Sequence, residues 1–472
     1  MSRKILGHAV KMASIQTVME GIQTLVTKVP HPVAANIFDA AQRAAIPLSQ
    51  IIRIVPLRDQ QGVVLCILPA ENMLDVRLVQ EASRRELAPL SGEEMAFYFK
   101  DVDPSCLPAL PNLYEAEIML DVGLFNEPIL YFQANDPSCL YQIKREDYQK
   151  IVGEVWQGTF SLLPAEFKEA AKKNVITLDH AIQQFLPKRL KTRVEETFDL
   201  PVLPPMANRI LQMRVDPAAD ALHLSKLVEQ DPSLAAQVLS WARSPYYGYS
   251  GHIESVEDAI IKVLGYDLVM NLALGIACGR EISIVNEGPL GLAHYWRFAL
   301  YTSALCDALS RVVPMVPRPK RGLAYLCGLL HNFGFLLMGQ LFQPQFELVS
   351  QYAELNPHFP IYFLEQHALG IGHEQFGGWL FKAWHLPNEV VLAAQCHHHD
   401  VKDGEGSIYA LLVQIAIRLL KREKLGDAEN GPLPVELLAR VGLSQEEADE
   451  ALFSLLSQRE ALDLLVEELL PK

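Results

Sequence analysis

The chain changes texture once, and that change restricts it to a mixed fold followed by a helical one. Up to about residue 150, short β-branched runs alternate with helical stretches, and from Phe198 onward every segment carries helical spacing. The runs 51–57 and 63–68 flank Asp59-Gln60-Gln61-Gly62, which has the composition of a hairpin turn. The runs 117–122 and 129–133 repeat the pattern around Asn126-Glu127-Pro128 and predict a second hairpin. Helical periodicity covers 34–45 and 75–86, while Pro104, Pro108 and Pro111 break the chain into a loop. After an N-terminal segment over 1–27, the expectation is a small α+β domain over 28–150.

Residues 151–196 read as a helical linker whose basic side chains (Lys168, Lys172, Lys173, Lys188, Arg189, Lys191, Arg193) line a solvated face. An all-α domain over 197–400 and a helical extension over 401–472 follow. Asp231-Pro232 supplies an N-cap and a proline at the first helical position. Ser255 with Asp258, and Ser444 with Glu447, have the spacing of caps, and Gly265 separates two helices. Leu462, Leu465, Val466 and Leu469 share one face of the last helix, so the acidic C-terminal segment either caps the core or docks a partner.

Half of the 472 residues are hydrophobic and 21% are charged, a balance that buries cores and excludes disorder. The net charge of −15 repels phosphate backbones and speaks against broad nucleic-acid binding. Seven scattered cysteines without a CxxC pair predict reduced thiols in a cytosolic setting. The N-terminal stretch with Arg3, Lys4 and Lys11 does not read as a secretory signal. The apolar stretches 263–278 and 323–342 carry Asp267, Asn271, His331, Asn332 and Gln340, so they read as buried helices with no membrane partner.

The helical half carries a series of separated motifs. In order they are Leu200-Pro201-Val202-Leu203-Pro204, Asp231-Pro232-Ser233-Leu234, Ser244-Pro245-Tyr246-Tyr247-Gly248 and Ala259 to Leu264-Gly265. Then come Trp296, Gly328-Leu329-Leu330-His331-Asn332-Phe333-Gly334, Glu365, His373-Glu374 with Gly377, Trp384-His385-Leu386-Pro387 and His397-His398. This series resembles the HDOD domain, a helical relative of the HD phosphohydrolases. The resemblance implies an all-α regulatory module of bacterial signalling.

HD hydrolases hold divalent metal with a His, an adjacent His-Asp pair and a later Asp, and the metal activates a bound water. At the matching positions this chain has Phe298, His331-Asn332 and Ile417. One imidazole beside a neutral amide and two apolar side chains is a poor divalent site. The expectation is no catalytic residue, no resident metal and no cofactor. His373, His385 and the run His397-His398-His399 either converge on one pocket, where imidazoles bind zinc or iron, or cap helices and fill the old cavity. Neighbouring histidines diverge on a helix, so one or two of the run can share a site. Tyr246-Tyr247-Gly248-Tyr249 offers either a stacking platform or an aromatic turn.

The N-terminal half resembles the YbaK-type aminoacyl-tRNA editing domain. The matching features are a helix after His31-Pro32, the strands 50–57 and 62–68, Asn72-Met73-Leu74-Asp75, the stretch 86–95, and Ile118-Met119-Leu120-Asp121. The family implies a lysine in the first strand and a glycine-rich loop around the pocket. Here Arg53 stands in that strand and the loop reads Asp103-Pro104-Ser105-Cys106-Leu107-Pro108. Arginine keeps the charge but not the tunable ammonium. Arg53 and Asp121 are the candidate pocket residues, and Arg53 could equally be a surface strand residue paired with a carboxylate.

Together these features predict a non-catalytic bacterial signalling protein with protein partners and a small-molecule or aminoacyl-tRNA ligand at the N-terminal domain. The alternatives are aminoacyl-tRNA deacylation by the N-terminal domain and a metal-dependent phosphohydrolase.

Overall fold

Asp59 and Gly62 make the turn that their composition predicts, and the runs on either side pair as strands. A computed structural model describes residues 10–100, 102–163, 202–279, 290–315, 318–428 and 431–470. The chain divides into two units, Met1–His180 with Gln351–Phe359, and Ala181–Ser350 with Pro360–Lys472.

The first unit begins with α1 (Ile15–Ile22), β1 (Val26–Pro30), α2 (Ile37–Arg43), β2 (Ile52–Arg58), β3 (Val63–Pro69), β4 (Met73–Leu74) and α3 (Val76–Ser83). It continues through β5 (Ala88–Pro89), α4 (Gly92–Tyr98), β6 (Glu117–Asp121), β7 (Ile129–Phe132), β8 (Cys139–Lys144), α5 (Arg145–Val152), β9 (Trp156–Gly158) and β10 (Ser161–Leu162). β2 and β3 are antiparallel, with Arg53 opposite Leu68. They lie in a five-stranded sheet ordered β5-β2-β3-β6-β9, which β6 and β9 join in parallel. β1, β8 and β7 form an antiparallel sheet, and β10 pairs with β4. All of β3 is buried, as its unbroken apolar run requires of a strand covered on both faces.

Two expectations need correction. The runs around Asn126-Glu127-Pro128 do not form a hairpin, because β6 belongs to the five-stranded sheet and β7 to the three-stranded one. Asp121 explains the divergence. Its Oδ1 accepts from Gly123 N at 2.8 Å and caps the tight turn Val122–Asn126. Its Oδ2 accepts from the backbone amides of Phe160 and Ser161 at 2.9 and 2.8 Å, which ties the end of β6 to a later segment. The helical linker also begins differently. Gly153, at φ +65°, ends α5, and the next residues form β9 and β10. The rest of that linker, with the basic run from Lys168 to Arg193, lies outside the described residues.

In the second unit every described element is helical: α6 (Pro205–Arg214), α7 (Ala221–Val228), α8 (Pro232–Arg243), α9 (Val256–Asp258), α10 (Tyr266–Gly279), α11 (Leu292–Val312), α12 (Arg321–Leu330) and α13 (Phe333–Leu341). Then come α14 (Gln343–Leu355), whose residues from Gln351 count with the first unit, α15 (Ile361–Leu369), α16 (His373–Ala383), α17 (Asn388–Cys396) and α18 (Ser407–Arg422). The last are α19 (Val435–Val441), α20 (Gln445–Leu456) and α21 (Arg459–Leu469). The expected caps form: Asp231 accepts from Leu234 N, Ser255 from Asp258 N, and Ser444 and Glu447 make a reciprocal box. α9 continues as a wider turn through Leu264 until Gly265, at φ +82°, stops it.

The stretch Arg321–Leu341 is apolar enough to cross a membrane by length and composition, but its apolar window is wholly buried within this unit. Ala448, Leu452 and Leu455 of α20, with Leu462, Leu465 and Val466 of α21, are buried, so the acidic C-terminal segment covers the helical core. Pro245–Tyr247 is a tight turn with Tyr246 and Tyr247 edge to face at 4.9 Å, closed by Gly248 at φ +63°. All seven cysteines are free thiols.

Candidate functional site

Arg53 lies in β2 and is buried, with 5% of its surface exposed. It does not pair with a surface carboxylate. Its Nη1 donates to the carbonyl of Leu355 at 2.9 Å, and its Nη2 donates to the carbonyl of Asn72 at 3.1 Å and to Asn356 Oδ1 at 2.9 Å. The Asn356 carboxamide also closes on β4. Oδ1 accepts from Leu74 N at 2.8 Å, and Nδ2 donates to Leu74 O at 3.0 Å and to Tyr352 O at 3.1 Å. An amide side chain thus pairs with the edge of β4 as another peptide group would.

Tyr352 and His358 pin the same segment on either side. The Tyr352 hydroxyl bonds Asp75, the N-cap of α3, and accepts from Arg77 Nε at 3.0 Å. His358 stacks on Phe38 of α2, centroids 4.3 Å apart, and the Arg53 guanidinium lies 5.9 Å from that same phenyl ring. Burial pushes Arg53 down to about 9, still protonated at neutral pH. Burial, and then the charge of Arg53, push His358 down to about 2, so it is neutral. Asp121 is not beside Arg53. Its carboxylate is spent on backbone amides, and it reaches Arg53 only through Ser161 and Asn72, whose Nδ2 donates to Ser161 Oγ at 2.8 Å.

The helical unit assembles a second cluster, on three helix ends and a loop. Gly334 lets the backbones of α13 and α16 touch, because a Cβ there would lie 1.9 Å from the His373 carbonyl. Glu365, buried in α15, caps α16, accepting from His373 N at 2.9 Å and from His373 Nδ1 at 2.7 Å. The other face of the His373 ring meets the end of α17, with Nε2 2.9 Å from His397 Nε2. His397 Nδ1 donates to the Ala394 carbonyl at 2.7 Å, and His398 stacks on Tyr362 at 4.7 Å.

Asp427 enters from the loop after α18. Gly426, at φ +85°, lies against the Phe298 ring, where a Cβ would come within 2.0 Å, so only glycine turns the chain here. The Asp427 Oδ2 lies 3.3 Å from His398 Nε2 and 3.7 Å from His373 Nε2. Despite burial, the neighbouring histidines, His398 first, hold its carboxyl well below the usual range. Burial opposes charge on His373, yet Glu365, Glu374 and Asp427 together push it up to about 9.

Three of the four HD positions, Phe298, His331 and Asn332, also gather here, with other work. Phe298 meets His331 edge to face at 5.0 Å. His331 Nδ1 donates to the Gly328 carbonyl at 2.7 Å, and burial pushes the ring down to about 4. Asn332 Nδ2 donates to Asp427 Oδ2 at 3.3 Å, orienting a carboxylate where the family would have one of its own. Ile417 is fully buried in α18. His385 is exposed at the end of α16, outside the cluster, and His399, about half exposed, bonds Glu374 at 3.2 Å.

Comparison with known proteins places these sites in a family. The HDOD domain model matches residues 200–400, and the aminoacyl-tRNA editing domain model matches residues 31–151. A crystal structure of a protein from Marinobacter aquaeolei VT8, provisionally assigned to signal transduction, is 30% identical, covers 96% of this chain and 99% of its own, and superposes with a TM-score of 0.78. The chain belongs to the HDOD family. In this chain the editing-type domain precedes the HDOD domain. An uncharacterized protein of Treponema pallidum (strain Nichols) is 22% identical over 237 residues, which is 50% of this chain and 45% of that protein. This HDOD chain therefore spans less than half the length of that curated relative.

Sequence reading found Arg53, His331, His373, His397 and His398, but missed Asn356 and Asp427. Neither lies in a motif. Asn356 acts on a residue of the other half of the chain, and Asp427 lies in the loop after the helix in which the HD pattern puts its last aspartate.

Proposed function

We propose that this HDOD protein is a cytoplasmic regulatory protein of bacterial signalling that works by interaction and not by catalysis. Its HDOD unit would pass a state to a protein partner, and its editing-type unit has a recognition pocket filled by the chain's own Asn356. The observation that carries this reading is the Arg53 site. Where the editing family implies a reactive lysine facing an aminoacyl group, Arg53 is buried against two carbonyls and a carboxamide of the same chain. It stays protonated at neutral pH with its terminal nitrogens engaged, so it does not offer the tunable amine of a lysine for deacylation. The HD positions support the same reading for the other unit, because Phe298 and Ile417 offer no donor atom and Asn332 is engaged with Asp427.

The test is incubation of the full chain with a panel of mischarged aminoacyl-tRNAs and, separately, with cyclic dinucleotides. The expected result is no turnover above the protein-free rate. Deacylation that Arg53→Ala abolishes, or cyclic-dinucleotide hydrolysis that His331→Ala abolishes, would overturn the reading.

A further inference from the structure

We propose that the helical unit binds one zinc-class divalent cation through His373 Nε2, His397 Nε2, His398 Nε2 and the Asp427 carboxylate. This set is distinct from the four HD positions and does not depend on the regulatory reading above.

The argument starts from where the protons lie. His397 Nδ1 donates to a backbone carbonyl, which can only accept, and His373 Nδ1 donates to the Glu365 carboxylate. In the metal-free chain one proton, held on His373, is shared between the two Nε2 atoms 2.9 Å apart, and a cation bound there would take that proton's place between two nitrogen donors.

Charge points the same way. Buried Glu365 and Glu374 and the largely covered Asp427 bring three carboxylates into one cluster, and among the described residues no lysine or arginine hydrogen-bonds any of them. Oxygens of all three (Glu365 Oε1, Glu374 Oε2, Asp427 Oδ1) are buried without a hydrogen-bond partner. Unpaired buried charge is costly; one protonated histidine offsets one of the three carboxylates, and a dication in place of that proton would offset two.

The geometry then selects the cation. A tetrahedral site with bonds of about 2.0–2.1 Å separates its donors by about 3.4 Å. The observed separations are 2.9 Å for His373 to His397, 3.7 Å for His373 to Asp427 and 3.3 Å for His398 to Asp427. All four donor atoms lie within 4.8 Å of one another. Three imidazoles and one carboxylate suit zinc, and also cobalt(II) as its substitute, better than magnesium or calcium.

The outer contacts are those of a metal site as well: Glu365 fixes the tautomer of His373, and the Ala394 carbonyl fixes that of His397. A second, independent sign is His331, which is 1% exposed and meets His397 edge to face at 5.1 Å. Its Nε2 has no partner among the described residues. Four protein donors close the sphere, so the ion would fasten α16, α17 and the Asp427 loop together and leave no open position for an activated water.

The experiment uses the untagged full chain, stripped with a chelator, reloaded with cobalt(II) or zinc(II) and desalted. The expected result is one metal per chain, with the intense visible absorption of four-coordinate cobalt. Asp427→Asn and His398→Gln should each weaken cobalt binding by more than about tenfold. Glu365→Gln should weaken it by about 10–100-fold while the band positions remain, because it orients a ligand without being one. Circular dichroism establishes that each variant is folded. A folded wild-type chain that retains well under one cobalt, or a folded Asp427→Asn/His398→Gln double variant that binds as the wild type does, would overturn the proposal.

Discussion

The Arg53 pocket and the histidine cluster are both polar sites buried in apolar frameworks, and they settle their charge in opposite ways. Around Arg53 the chain brings neutral acceptors to a cation: two carbonyls and the Asn356 carboxamide. Around His373 it brings three carboxylates to a pair of facing imidazole nitrogens that share one proton. In the first arrangement both terminal nitrogens of the guanidinium meet oxygens of the chain itself. The second leaves an oxygen of each of its three carboxylates without a hydrogen-bond partner. Both sites are built from residues far apart in the chain: at one the chain's own Asn356 bonds the arginine, and at the other four donor atoms gather.

The comparison breaks most readily at Gly334. Its absent Cβ is what lets α13 meet α16 and sets His373 in place, since a methyl there would press on the His373 carbonyl and on Gly377 N, 2.5 Å away. Gly334→Ala should cost more than about 4 kcal/mol, or prevent the helical unit from folding, because backbone cannot move aside as a side chain does. Chemical denaturation followed by circular dichroism measures this. A loss under about 1 kcal/mol would mean that the two helices are not held in contact.

Asn356→Ala comes next. It leaves the Leu74 amide and carbonyl and one Arg53 donor without their partner, and should destabilise the first unit by about 3 kcal/mol. Hydrogen exchange should then rise in Met73–Leu74 and Gln351–Phe359 before it rises in β3.

Much of this contrast was hidden in the sequence, and for a physical reason. Local order was legible: the hairpin from the alternation around Asp59 and Gly62, and the helix starts from Asp231-Pro232 and Ser444 with Glu447, because cap and turn chemistry acts within four residues. The second hairpin was misread because Asp121 looks like any strand-end residue until Phe160 and Ser161 arrive to use its carboxylate. β9 and β10 are too short to show a period. The histidines were legible as candidates through the family resemblance, but their shared acceptor and the partner of Arg53 come from distant chain, which no spacing rule reports.

Acid should separate the two regions by a smaller amount. His358 is pushed down to about 2, while an unfolded histidine titrates near about 6.5. A group that must stay neutral when folded contributes its full stability above pH 6.5 and loses it as pH falls below. Between pH 6.5 and 5 the loss should be about 2 kcal/mol, and His358→Phe, which keeps the stack on Phe38, should remove that part of the slope. Denaturation curves across this pH range measure it. An unchanged slope in the variant would mean that His358 titrates freely.

The smallest effect lies outside both sites. Ser444→Ala removes a capping box on α20 and should cost about 1 kcal/mol without changing cobalt binding or exchange at Asn356. It serves as the reference for a change that destabilises the chain without touching either pocket.

The most direct test of the central claim is a double-mutant cycle between Arg53→Ala and Asn356→Ala, read by chemical denaturation of the full chain. If the chain's own asparagine fills the pocket, the two losses are not additive, and the coupling is about 2 kcal/mol. Additive losses, with coupling within about 0.3 kcal/mol of zero, would mean that Arg53 and Asn356 do not meet, and the closed-pocket account would fall.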